Sequence, residues 1–109
     1  IFGTIHTKAF NHMTNTEKNG TAYAKDLETN FHVYGIDWHK DRLVFRFNGT
    51  PYFTFKKPKK ATVEEWPFDQ PFYLLLNVAV GGNWGGVRGV DESIWPQRME
   101  IDWVRVSKL

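Results

Sequence analysis

Residues 43–55 read LVFRFNGTPYFTF, two alternating runs of aromatic and polar side chains broken by Asn48-Gly49. No other stretch constrains the fold so much. A two-residue hairpin loop that matches the twist of its strands is a type I′ turn, with positive φ at both central positions. Asn and Gly enter that region at the least steric cost. The expected register pairs Phe47 with Thr50 and Phe45 with Tyr52, which brings two aromatic rings together on one face.

The chain keeps this period elsewhere. NFHVYGIDWH, residues 30–39, places His32, Tyr34, Ile36 and Trp38 on one face of a strand, with His32 a satisfied residue among apolar neighbours. QPFYLLLNVAV, residues 70–80, is almost continuously apolar, as a strand covered on both faces would be. Gly81-Gly82 ends it and opens a glycine-rich loop, GGNWGGVRGVDES. IFGTIHT at the start and Met99 to Val106 at the end add two shorter strands. Turn signals recur about every ten residues, and no segment shows a 3.6-residue apolar period. The expectation is an all-β chain, with residues 1–109 belonging to one domain. Its aromatic content of 17%, with five Trp and nine Phe, is high for so few strands. Apolar surface and strand edges would stay open. Residues 1–109 therefore read as about half of a larger sandwich, completed by another segment or a partner chain. A first residue of Ile rather than Met suggests a cut product.

Several function classes are disfavoured. With no Cys, neither a disulfide framework nor a thiolate zinc site can form. No apolar run reaches the roughly 18 residues of a membrane span, so no membrane partner is expected. The net charge is +2, and its one dense feature is Lys56, Lys57, Lys59 and Lys60. Pro58 interrupts that cluster and Glu64-Glu65 follows it, a pattern of a solvated loop rather than a phosphate footprint. Nucleic acid is not an expected partner.

Glu100 and Asp102 are the first candidates for chemistry, because residues two apart on a strand share a face. A retaining glycosidase needs two carboxyl groups about 5 to 5.5 Å apart. Yet Val104 and Val106 lie on the Asp102 side, and a carboxylate among valines needs a cation or N–H donors to be buried. A structural role, tied to a metal or hydrogen-bonded at a sheet margin, fits better. Glu64-Glu65 and Asp91-Glu92 are adjacent pairs in loops and do not converge. His6, His12, His32 and His39 lack zinc-motif spacing. His6 alternates with Phe2 and Thr4 on a strand face and could stand in a cleft. Asn77 interrupts an apolar run, and its amide either bridges strands or holds a sugar hydroxyl or a carboxylate. Trp84, held between glycines, is either a stacking platform for sugar C–H faces or a lid over the core, with the amide of Asn83 beside it for hydroxyls. Asn19-Gly20-Thr21 and Asn48-Gly49-Thr50 match the N-glycosylation pattern, though the turn already accounts for Asn48.

Taken in order, FGTIHT, FHVYGIDWHKDRLVFRFNG, PFYLLLNVAVGGNWGG and WPQRMEIDWVRV resemble the C-terminal half of glycoside hydrolase family 16, in particular its laminarinase-like endo-β-1,3-glucanases. The resemblance implies a β-jelly-roll sandwich of two curved antiparallel sheets, concanavalin A-like, with β-1,3-glucan bound along the concave face. It implies retaining hydrolysis by two acids in an E-x-D-x-x-E strand that precedes FGTIHT and so falls before Ile1. The missing N-terminal half becomes the expected partner, and the fragment alone is expected to be inactive. Glu100-Ile101-Asp102 is followed by no third acid, so the match is to the final strand. There the resemblance makes Asp102 a ligand of a structural calcium, away from the cleft. It makes His6, Asn77, Asn83 and Trp84 substrate-binding positions and implies a secreted, cell-surface or periplasmic protein. A non-catalytic β-glucan-binding protein of the same fold is the alternative.

Overall fold

The computed structural model describes residues 1–108. They form two compact units, residues 1–72 and residues 73–108. The first unit holds two antiparallel sheets. One contains β1 (Phe2–Ile5) and β2 (Lys18–Thr21), and the other runs in the order β3 (Tyr34–Trp38), β4 (Arg42–Phe47), β5 (Thr50–Lys56).

The β4–β5 hairpin turns at Asn48 and Gly49 with φ of 48° and 82°, the positive pair that a type I′ turn requires. Phe47 pairs with Thr50 as expected, but Arg46 then pairs with Pro51 and Phe45 with Phe53. A bulge between Phe45 and Arg46 thus replaces the expected Phe45–Tyr52 pair. Pro51 has no N–H for the ladder, and a bulge is where a strand accommodates that loss. The Phe45 ring still meets both neighbours, 5.3 Å from Phe53 and 6.3 Å from Tyr52.

Two glycines let the sheets stack closely. Gly3 of β1 lies opposite Gly20 of β2. A Cβ on Gly3 would come within 2.8 Å of the Phe45 ring and the Tyr52 hydroxyl, and one on Gly20 within 2.6 Å of Phe53 Cβ. Aromatic side chains of β4 and β5 occupy the space that these missing Cβ atoms leave. β2 itself, KNGT, carries no strand pattern and forms because β1 supplies its ladder.

The core joins Ile5, Leu43, Phe45 and Phe55 to Trp66, with Phe10, Phe53 and Phe68 against them. Trp66 is 1% exposed and stacks on Phe55 at 5.6 Å. A turn opened by Thr62 carries it inward: Glu65 accepts from the Thr62 N–H at 2.9 Å, and the Trp66 N–H donates to Thr62 O at 2.9 Å.

Cross-strand pairing puts Tyr34, Ile36 and Trp38 on the same face as Phe47, Phe45 and Leu43. That matches the shared face expected from sequence, yet these three β3 side chains are 60%, 55% and 43% exposed. Two strands cannot cover three. His32 lies just before β3 rather than within it.

The expected strands at 70–80, which run from the first unit into the second, and at 99–106, in the second unit, join no ladder. An extended chain becomes a strand only when a neighbour receives its N–H and C=O groups, and among the described residues none pairs there. This unit carries one helical turn, α1 (Gly82–Gly85), and a 3₁₀ turn at Glu92–Ile94 capped by Asp91, whose carboxylate accepts from the Ser93 N–H at 2.9 Å. No helix among the described residues is long and apolar enough to cross a membrane.

Candidate functional site

The sequence-predicted site residues fall into two groups. His6 belongs to the first unit, where it follows the last residue of β1. Ile5 and Gly3 of that strand are buried against the core, so Phe2, Thr4 and then His6 lie on the opposite face, as alternation predicts. The His6 ring is exposed and meets His12 edge-on, with centroids 5.6 Å apart at 82°. His12 was given no role by sequence. Its six-residue separation from His6 follows no ligand or catalytic spacing, and only the intervening turn brings the rings together.

Asn77, Asn83, Trp84 and Asp102 belong to the second unit. Asn83 and Trp84 share α1, and the glycines around them build it. Gly81 and Gly82 have φ of 70° and 77°, in the left-handed region that L side chains avoid. Gly86 closes the turn by donating to Gly82 O at 3.0 Å, and a Cβ there would meet that oxygen at 2.7 Å. Trp84 is presented 77% exposed. Asn77 is exposed in the unpaired 73–80 segment.

The acids make no catalytic pair. Glu100 is bound by Arg98, Nε to Oε1 2.7 Å, and not by a second carboxyl group. Glu64 is bound by Lys8, whose amine that contact raises above its usual range. The hydroxyl and N–H of Ser93 hold Asp91 below the usual carboxylate range. Asp102 is exposed. Calcium takes six to eight oxygens, and among the described residues no group of three His, Asp or Glu is placed to hold a metal ion. Asp102 alone does not make such a site. An open cavity of about 460 Å³ lies between Trp38, Lys57, Phe68 and Asp69, and none of the predicted residues lines it.

These residues can stack, hydrogen-bond and orient a polar ligand, but nothing among them delivers a nucleophile and a proton donor to one atom. The comparisons with known proteins agree with the order of motifs along the chain. The family model described as "Glycosyl hydrolases family 16" matches residues 2–105. A beta-glucanase of Rhodothermus marinus is 40% identical over 99% of this chain and 39% of its own length. A beta-1,3-glucan-binding protein of Penaeus monodon is 34% identical over 70% of this chain and 25% of its own. Among solved structures, the laminarinase from Rhodothermus marinus superposes with a TM-score of 0.83 at 40% identity, covering 87% of this chain and 39% of that one. The chain thus spans well under half the length of these relatives. The fold is accordingly all-β, part of a jelly-roll sandwich of curved antiparallel sheets.

Proposed function

This chain belongs to glycosyl hydrolases family 16, and from that membership we propose that it is part of a retaining endo-β-1,3-glucanase, a laminarinase that cuts internal β-glucan linkages. The observation that carries this reading is the 40% identity to the Rhodothermus marinus beta-glucanase across 99% of the chain. Retention needs one carboxylate to attack the anomeric carbon and one carboxylic acid, about 5 to 5.5 Å away, to protonate the leaving oxygen. The partners found for the carboxylates here are bases, amides, hydroxyls and N–H groups, as Arg98 is for Glu100, Arg46 for Asp37, Lys8 for Glu64 and Ser93 for Asp91, and not a second carboxyl group. The catalytic pair therefore belongs to the part of the domain outside these 109 residues. That part also supplies the ladder for residues 73–80 and the cover for Tyr34, Ile36 and Trp38.

In this reading the Trp84 indole packs against the C–H face of a sugar and the Asn83 amide takes its hydroxyls. Asn77 hydrogen-bonds the glucan or orients a catalytic carboxylate, and His6 stands near the acid/base. Asp102 supplies one oxygen to a structural calcium whose other donors lie beyond this chain. A polysaccharide substrate cannot cross a membrane intact, which supports a secreted, cell-surface or periplasmic location.

The purified 109-residue chain is expected to release no reducing sugar from laminarin, whereas the full-length domain cleaves it with retained anomeric configuration. Sugar release by the bare chain would sink the placement of the acids. In the full domain, Asn77→Ala should lower kcat/KM by roughly 10- to 100-fold, the loss of one or two hydrogen bonds in a dry site.

The similarity to a beta-1,3-glucan-binding protein supports a second reading, a non-catalytic β-glucan-binding domain. It predicts a full-length domain that retains laminarin on affinity electrophoresis and releases no sugar.

A further inference from the structure

His32 stands in the first unit with its side chain 9% exposed, its ring 4.9 Å from that of Phe47. Its hydrogen-bond partners select one tautomer of the ring. The Val33 N–H donates to Asn48 Oδ1 at 2.9 Å, so the other end of that amide, Nδ2, faces His32 Nδ1 at 3.0 Å. An NH₂ group only donates, and Nδ1 must therefore carry a lone pair. The proton sits on Nε2, which faces Asp26 Oδ1 at 3.3 Å and Asp26 O at 3.4 Å. Asp26 in turn accepts from Asn30 Nδ2 at 2.9 Å. The Asn48 N–H also donates to Val33 O at 2.8 Å, so residues 26–33 meet the β4–β5 turn through that backbone bond, the Asn48 amide and the imidazole.

We propose that His32, Asn48 and Asp26 form a pH-sensitive latch beside the Asn48–Val33 backbone bond, and that its imidazole–Asn48 contact opens in acid. Histidine is the side chain whose charge changes between about pH 5 and 8. A proton arriving on Nδ1 sets a donor against the Nδ2 donors of Asn48. Rotating the amide offers Oδ1 to the ring but turns Nδ2 against the Val33 N–H, so one bond is lost either way. The charged group on the ring is Asp26, which faces Nε2 in both states. β4 and its turn present Phe47 and Asn48, which do not titrate. The Asn48 side of the latch therefore gives way while the Asp26 side holds.

Hydrogen exchange of the Val33 amide in the 109-residue chain tests this. Its protection, normalised for the intrinsic pH dependence of exchange, should fall roughly tenfold between pH 8 and pH 5.5, the loss of about one hydrogen bond. Asn48→Asp should reverse the trend, because one carboxylate oxygen keeps Val33 while the other accepts from the imidazolium. His32→Phe keeps a ring on Phe47 and should make the protection independent of pH. Constant Val33 protection in the native chain, or a wild-type trend in Asn48→Asp, would overturn the proposal. So would ¹⁵N shifts that place the neutral proton on Nδ1. Should His32→Phe not fold, the direction of the Asn48→Asp trend still decides.

Discussion

β5 (Thr50–Lys56) and residues 73–80 are both rich in apolar side chains, yet only β5 is a strand. β5 pairs with β4 along its length and buries Phe55 against Trp66. Residues 73–80 are the more apolar of the two, and still Leu74, Leu75, Leu76, Val78 and Val80 are each more than half exposed. Hydrophobicity decides which face of a strand turns inward. Whether a strand exists depends on a neighbour that takes up its backbone groups. The strands of the first unit find their ladder partners within it, and residues 73–80 find none among the described residues.

Substitutions in the first unit should therefore cost the most. Trp66→Ala removes the largest fully buried side chain and should lose about 3–5 kcal/mol in urea unfolding. Trp66→Phe should cost distinctly less, because the Trp66 Nε1–H is buried without an acceptor among the described residues and phenylalanine has no such group. Next comes the contact between the sheets. Gly20→Ala drives a Cβ to 2.6 Å from Phe53 Cβ, and overpacking of this kind costs about 1–3 kcal/mol. Should Gly20→Ala prove neutral, the two sheets of the first unit do not need this close approach.

The same contrast explains what was legible in the sequence. Asn48-Gly49 encodes its own turn, since both residues take the positive φ that the turn demands, and the Phe47–Thr50 pair followed from it. The break after residue 80 was legible for a similar reason, because Gly81 and Gly82 take positive φ, whereas the helical turn at Gly82–Gly85 was not. The bulge at Pro51 could have been read from proline's missing N–H. β2 could not be read, because KNGT is polar and becomes a strand only through β1. The facing of Gly3 and Gly20 depends on that same long-range register. His6 and His12 meet through a turn whose sequence says nothing about imidazoles. The segments that carry Asn77 and Asp102 join no ladder among the described residues, so no local pattern could specify what surrounds these side chains.

Alkaline pH offers a subtler probe of the first unit. Burial raises the Tyr52 phenol above its ordinary value, because the charged phenolate loses its hydration there. The folded chain thus holds this proton more tightly than the unfolded chain. Stability is full below about pH 10 and falls as pH rises through the raised value. Urea midpoints measured from pH 8 to pH 11 should fall less steeply for Tyr52→Phe than for the native chain. Tyr73→Phe, at an exposed position in the second unit, should leave the slope unchanged. Equal slopes in all three would remove Tyr52 from the sheet contact.

The smallest expected effect is the most telling. Leu75 is 77% exposed, so Leu75→Ala in the 109-residue chain has almost no buried contact to lose and should shift stability by less than about 0.5 kcal/mol. In the full-length domain the same substitution should cost about 2–5 kcal/mol, the range for a leucine truncated inside a packed core. Only the neighbours of residues 73–80 differ between the two measurements, since the residue and the substitution are the same. A large loss in the short chain would mean that this segment already packs within it. A small loss in the full domain would mean that Leu75 stays at a surface there. The expected pair, near zero and then several kcal/mol, would assign the missing ladder to the rest of the domain.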